Sequence, residues 1–265
     1  MSGKVDYSVL DLPQFQQLIF YPRAYWTIPQ PGATDHMVSV EGGISISARF
    51  YPISRESPTI LFFHGNGEVA CEYDDIAPLY NKQGINLVVA DYRGYGRSGG
   101  LPTFANMVAD AHAVLDYVRV LLQKGEYTDS LFIMGRSLGS HSAIELASAR
   151  ADEVQGLILE SGFAHVPRLL RHHGLVVESP ALDEFEEAVR ERVKGITIPV
   201  LVIHGEWDTL VPPENATNFN QNVGSKDKTL LTIPHASHND IMYVGMEQYF
   251  SSIKAFVSRL AGLMA

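Results

Sequence analysis

Cysteine is nearly absent. Cys71 is the single one among 265 residues, so no disulfide can form within the chain, and a reducing, cytoplasmic setting is expected. Basic residues are also scarce. The 20 Lys and Arg stand against 30 Asp and Glu, a formal net charge of −10. Binding nucleic acid requires clustered cations on phosphate, so no nucleic-acid partner is expected. No run reaches the roughly 18 consecutive apolar residues of a membrane span, so no integral membrane segment is expected. The opening "MSGKVDYSVLDLPQFQQLIFYPR" has a single early Lys and no sustained apolar stretch, which argues against a secretory leader. Repeats, low-complexity tracts and linker-like segments are missing as well, so one domain over residues 1–265 is expected. With 46% hydrophobic and 19% charged residues, the composition is that of a globular chain.

What is present is a rhythm of short apolar runs separated by longer amphipathic stretches. "TILFFHG" (59–65), "NLVVADY" (86–92), "SLFIMG" (130–135), "GLILES" (156–161), "PVLVIHG" (199–205) and "KTLLTIP" (228–234) are the runs. Continuous apolar runs of this length predict strands buried on both faces of a parallel sheet. Before them, "HMVSVEG" and "ISISARFYP" partly alternate and predict an antiparallel pair at one edge. From Thr103, the residues Phe104, Met107, Val108, Ala111, Leu115, Val118 and Leu122 recur at helical spacing, with Pro102 before them and Gly125 after. A last helix is expected over Met246–Leu263. Alternating strands and helices predict a sheet covered on both faces, with all parallel strand ends gathered at one edge, where ligands bind. The stretch 162–197 is too long for an ordinary loop and carries a helical pattern near Leu182–Val193; it is read as a small cap over that edge.

The pattern G-x-S-x-G occurs twice, as Gly96-Arg97-Ser98-Gly99-Gly100 and as Gly135-Arg136-Ser137-Leu138-Gly139. A serine hydroxyl attacks a carbonyl only when it is exposed and has a base beside it. A strand running straight into a tight turn and then a helix supplies that exposure. Ser137 has this context, with "LFIM" ahead of the motif and "SHSAIELASA" behind it. Ser98 lies beyond its strand among glycines, with Leu101-Pro102 before the next helix, and is read as part of a turn. Ser137 is therefore the nucleophile candidate.

A base and an acid should follow at later strand ends, in the chain order serine, acid, histidine. Asp208, past "PVLVIHG", and His238, past "KTLLTIP", meet that requirement; Glu206 and His235 are their rivals. An oxyanion site needs two N–H donors, for which the main-chain groups of Leu138 and Asn66 are the candidates. His64 is read as bracing the turn, His141 as packing within the helix layer and Cys71 as a small buried residue. Trp207 is read equally as a pocket wall or as core packing, and Tyr95 and Phe163 are weaker candidates for the acyl site. His172 and His173 lack further metal-type neighbours, so neither a metal nor a cofactor is assigned.

"HGN" (64–66), "DYRGYGRS" (91–98), the second G-x-S-x-G, "HGEWDTLVP" (204–212) and "HND" (238–240) stand in that order along nearly the whole chain. With them the chain resembles the α/β-hydrolase superfamily, in particular its single-domain serine hydrolases. The resemblance implies the α/β-hydrolase fold, with a mostly parallel eight-stranded sheet. It also implies an acyl hydrolase using Ser137, Asp208 and His238 on a small-molecule ester, with thioesterase and peptidase as neighbouring possibilities. In such proteins "DYRGYGRS" is mainly architectural. The chain departs from relatives at Arg136, where a neutral or acidic residue is common; a pairing with Glu160 is expected. A binding module without catalysis is the remaining alternative, disfavoured because all three residues are kept. Dehalogenase and epoxide hydrolase chemistry would need a carboxylate at position 137. Oligomeric state is not readable.

Overall fold

The computed structural model describes residues 5–12, 19–175 and 179–263. The first residues of the segment read for a leader, and three residues of the stretch read as a cap, lie outside the described residues.

Eight strands form one sheet: β1 (Thr34–Val40), β2 (Ile44–Tyr51), β3 (Thr59–Phe63), β4 (Asn86–Ala90), β5 (Leu131–Arg136), β6 (Leu157–Glu160), β7 (Val200–Gly205) and β8 (Lys228–Ile233). Their spatial order is β1-β2-β4-β3-β5-β6-β7-β8. The expected antiparallel pair is β1 and β2, and β2 runs antiparallel to β4 as well. From β4 to β8 every pairing is parallel.

Side-chain alternation explains why the central strands read as unbroken apolar runs. In β3, Leu61 and Phe63 enter one core and Ile60 and Phe62 the other. The helix Phe104–Lys124 covers the first core with Met107, Ala111, Val114, Leu115 and Val118. The helix Met246–Leu260 covers the second with Tyr249, Phe250, Ile253 and Phe256. Thr103 caps the former by accepting the Asn106 N–H at 3.0 Å. One run departs from expectation. β8 is only partly buried, because it is the last strand and has β7 alone as a neighbour.

After β3 the chain crosses to β4 on one side, and later returns to β5 on the other. The ends of β3 and β5 are thus adjacent at a topological switch point, with Phe63 level with Gly135. Between β6 and β7 lie two helices, Val166–His172 and Pro180–Gly195. The longer one buries Leu182, Phe185, Val189 and Val193 in the first core. Among the described residues no helix is long and apolar enough to cross a membrane.

Candidate active site

β5 ends at Arg136, and the next residue, Ser137, takes φ +49° before a short 3-10 turn leads into the helix Ser140–Ala149. A left-handed non-glycine residue costs on the order of 1–3 kcal/mol and persists only where its surroundings fix it. Close approach supplies the constraint. A Cβ on Gly139 would fall onto the carbonyl oxygen of Phe63, and one on Gly135 would lie 2.8 Å from Ala143 Cβ. The elbow helix can therefore press against the ends of β3 and β5. Ser140 Oγ lies 2.6 Å from the Ser137 carbonyl oxygen and accepts the Phe163 N–H at 3.2 Å.

Two later strand ends bring their side chains to this serine. His238 Nε2 is 2.9 Å from Ser137 Oγ, and His238 Nδ1 is 2.7 Å from Asp208 Oδ2. With Nδ1–H donated to the carboxylate, Nε2 is the bare nitrogen that accepts the serine O–H. Asp208 is anchored in turn: Oδ1 accepts the N–H groups of Leu210 (3.0 Å) and Val211 (2.8 Å). Burial pushes its carboxyl up, but hydrogen bonds from His204 and His238 prevail and hold it well below the usual carboxylate range. It is therefore an anion at neutral pH.

The rivals are elsewhere. Glu206 accepts the main-chain N–H of His235 at 2.9 Å, and both side chains stand largely in solvent. Trp207, 59% exposed, packs at a tilt against His235 with ring centres 4.6 Å apart and is not among the described residues lining the cavity beside Ser137. It is thus neither a pocket wall nor a core residue, the two readings open for it in the sequence: the tight β7 turn aims it outward. Ser98 is a turn residue. Its Oγ accepts the Ser47 N–H at 2.9 Å, and Ser47 Oγ donates to Asp91 at 2.5 Å. His64 joins this brace, with Nε2 3.2 Å from Asp91 Oδ1 and Nδ1 2.8 Å from the Gly65 carbonyl oxygen. His141 lies in the helix layer, edge-on to Phe104 and Phe163, and Cys71 is buried.

The cavity is about 380 Å³ in volume, and Ser137, Leu138 and Asn66 all line it. Phe163 and Val166, Leu169, Leu170, His173 and Leu175 form one wall; Leu210 and Val211 form another. His172 and His173 are near main-chain oxygens of the acid-bearing loop, at 3.2 Å from Thr209 O and 2.8 Å from Leu210 O. Two lining residues, Ile19 and Tyr21, give no signal in the sequence. They arrive on an N-terminal arm pinned by Arg49, which donates to Thr27 O at 2.5 Å while paired with Asp35 and Asp74. The Asn66 side chain is committed to the same arm: Oδ1 accepts from Tyr21 N–H (2.9 Å) and Tyr95 O–H (2.7 Å), and Nδ2 donates to the Ile19 carbonyl. Tyr95 thus clamps the loop from behind rather than lining the cavity. Arg136 does pair with Glu160, at 3.1 Å, and also with Glu68, which sequence reasoning missed.

Comparison with known proteins gives a consistent picture. Residues 54–179 and 180–242 match the family described as serine aminopeptidase, S33. The chain is 29% identical over 208 residues to protein bem46 of Schizosaccharomyces pombe, covering 76% of this chain and 67% of that protein. Among solved structures, the Pyrococcus furiosus esterase Pf2001 superposes with a TM-score of 0.74 at 20% identity, over 91% of this chain and 99% of that one. Est1E from Butyrivibrio proteoclasticus, solved with ferulic acid bound, superposes with a TM-score of 0.69 at 22% identity, over 86% and 100%. At such identities the two structures establish the α/β-hydrolase fold.

Proposed function

The chain belongs to the serine aminopeptidase S33 family of hydrolases, and from that premise we propose that it is a serine esterase. Its substrate is a small or medium carboxylic ester, cleaved through an acyl-enzyme. The observation that carries this reading is the unbroken relay Ser137 Oγ to His238 Nε2 (2.9 Å) and His238 Nδ1 to Asp208 (2.7 Å).

In this reading, Ser137 Oγ attacks the ester carbonyl carbon while His238 Nε2 takes its proton. Asp208 holds the imidazole in the required tautomer and stabilises the imidazolium that forms. The oxygen that becomes negative is met by the main-chain N–H groups of Leu138 and Asn66; such donors are each worth about 3–4 kcal/mol in the transition state. The tetrahedral intermediate collapses, and the proton on His238 passes to the leaving alkoxide, which departs as the alcohol. Water then attacks the acyl-enzyme, giving its proton to His238, and a second collapse returns the proton to Ser137 and releases the acid.

The cavity wall supports an apolar acyl group. A volume of about 380 Å³ is toward the small end of small-molecule sites, which span about 300–1,000 Å³. Within the 162–197 stretch taken as the cap, the turn after β6 and the Val166–His172 helix line the cavity and set its depth. An aminopeptidase reading would need a carboxylate to receive the substrate ammonium, and no Asp or Glu is among the described lining residues. Thioester cleavage by the same relay is the companion reading.

The test is a panel of p-nitrophenyl esters from acetyl to palmitoyl, with matched acyl thioesters and amino-acyl p-nitroanilides. Each buried methylene contributes about 0.8 kcal/mol, roughly fourfold in kcat/KM, until the cavity is filled. A rise followed by a plateau among the oxygen esters is expected. Preference for amino-acyl anilides would overturn the ester assignment, and no Ser137-dependent turnover of any member would favour a binding module.

A further inference from the structure

Resting on the reading of Ser137 as nucleophile, we propose that Arg136, the residue immediately before it, is a positioning residue that keeps the base-bearing turn and the oxyanion loop in register with the elbow. Its guanidinium touches no reacting atom. Its side chain is only 12% exposed, and its three nitrogens donate to four acceptors. Nε donates to Glu160 Oε1 at 3.1 Å, at the end of β6. Nη1 donates to Glu68 Oε1, on the loop that follows β3. Nη2 donates to the carbonyl oxygen of His238 itself and to Asn239 Oδ1, both at 3.0 Å.

Each contact is continued outward. Glu68 Oε2 accepts the Gly65 N–H at 3.0 Å, one residue before Asn66, and the Tyr73 hydroxyl at 2.7 Å. Glu160 Oε2 accepts the Tyr249 hydroxyl at 2.5 Å, and that oxygen lies 2.9 Å from the Tyr80 hydroxyl. One side chain on the nucleophile's own strand thus reaches the loop with Asn66, the neighbouring strand end and the backbone of the base. These segments are far apart in sequence, and Arg136 spans 102 residues to reach His238.

The electrostatics show which link is strongest. Burial pushes the Glu68 carboxyl up, but Arg136 and His64 outweigh it and draw the group below its ordinary value. Burial dominates at Glu160, leaving it raised despite Arg136 and Tyr249. At the guanidinium itself Glu68, on the oxyanion-loop side, is the larger charge partner and Glu160 the next. Buried ion pairs are weak devices for stability, since apolar residues of similar volume often serve as well. Fixing several directions at once is what a planar fork with five donors does and an ammonium does not.

Arg136→Lys keeps the charge between the two carboxylates but cannot bind all four acceptors. Displacement of a catalytic group by about 1 Å costs on the order of a hundredfold in rate. The expected result is a folded enzyme with kcat lowered about 10- to 100-fold, KM within about threefold, and fluorophosphonate labelling of Ser137 slowed by the same factor as kcat. Wild-type kcat and labelling rate in folded Arg136→Lys would overturn the proposal. So would a loss that tracks thermal unfolding and vanishes at lower temperature. Should Arg136→Lys not fold, Asn239→Ala decides: this exposed residue carries one arm of the fork, and a several-fold fall in kcat at constant KM is expected, with an unchanged kcat overturning the proposal. Ser137→Ala run in parallel separates the two readings, because its retention of wild-type turnover would refute the nucleophile assignment rather than the role of Arg136.

Discussion

The two G-x-S-x-G stretches share a pattern and divide the backbone work in opposite ways. In Gly96–Gly100 the left-handed conformations fall on glycines, Gly96 at φ +57° and Gly100 at +75°, and Ser98 points its hydroxyl back at the Ser47 main chain. In Gly135–Gly139 the left-handed residue is the serine, at φ +49°, and the glycines have ordinary φ but no room for a Cβ. The first arrangement makes a turn and spends its hydroxyl on holding it. The second stores strain in the serine and leaves its hydroxyl for His238. The same five-letter pattern therefore carries architecture in one place and, in the proposed function, chemistry in the other. What separates them is the strand that runs directly into the second.

The comparison breaks most sharply at the serines. Ser137→Ala is expected to lower kcat/KM on the preferred ester by about 10⁴-fold or more, whereas Ser98→Ala leaves it within a few-fold; steady-state kinetics on both variants checks this. The matching glycines come next. A Cβ at Gly139 meets the Phe63 and His64 carbonyl oxygens, which are main-chain atoms and cannot yield. Overpacking ordinarily costs about 1–3 kcal/mol, and against backbone more, so Gly139→Ala is expected to unfold or fail to accumulate. Gly100→Ala meets the end of a flexible side chain, Ile44 Cδ1 at 2.8 Å, and should lose about 1–2 kcal/mol for its left-handed φ, read from urea unfolding.

A third difference concerns the residue behind the elbow. Burial, with a smaller contribution from His165, pushes His141 down to about 3, while in the unfolded chain it takes a proton near about 6.5. Between these values the unfolded state holds the extra proton. The stability is thus complete above about pH 6.5 and falls as pH drops toward 3, by up to about 1.4 kcal/mol per pH unit from this group. Chemical unfolding across that range should show the slope reduced in His141→Leu, a buried site whose Nε2 has no hydrogen-bond partner among the described residues. An unchanged slope would remove His141 from the account. The smallest effect is expected at Ser98→Ala itself, where the hydrogen bond from Ser47 N–H and the 3.1 Å contact with Ser47 Oγ are lost, about 1 kcal/mol, measured as a shift in thermal midpoint.

Central strands were legible because burial on both faces writes unbroken apolar runs, as in "TILFF" and "VLVIHG". Lys228–Ile233 has a similar run but lies at the sheet edge, and edge position is a property of topology that no local pattern records. The meeting of Ser137, Asp208 and His238 was legible through strand ends, since a parallel sheet gathers all of them on one rim. The reach of Ile19 and Tyr21 was not. It depends on Arg49 holding the Thr27 carbonyl, a contact between segments with no shared periodicity. Glu68 was equally hidden, being 68 residues from Arg136 in sequence and adjacent only after β3 and β5 pair. Trp207 misled for a related reason: an aromatic beside Asp208 has no strand register to say whether it faces in or out.

Fluorophosphonate labelling followed by mass spectrometry of the proteolysed protein decides whether Ser137 is the nucleophile. A single adduct is expected on the peptide carrying Ser137, none on the peptide carrying Ser98, and loss of labelling in His238→Ala. An adduct on Ser98, or labelling that survives in Ser137→Ala, would contradict that assignment.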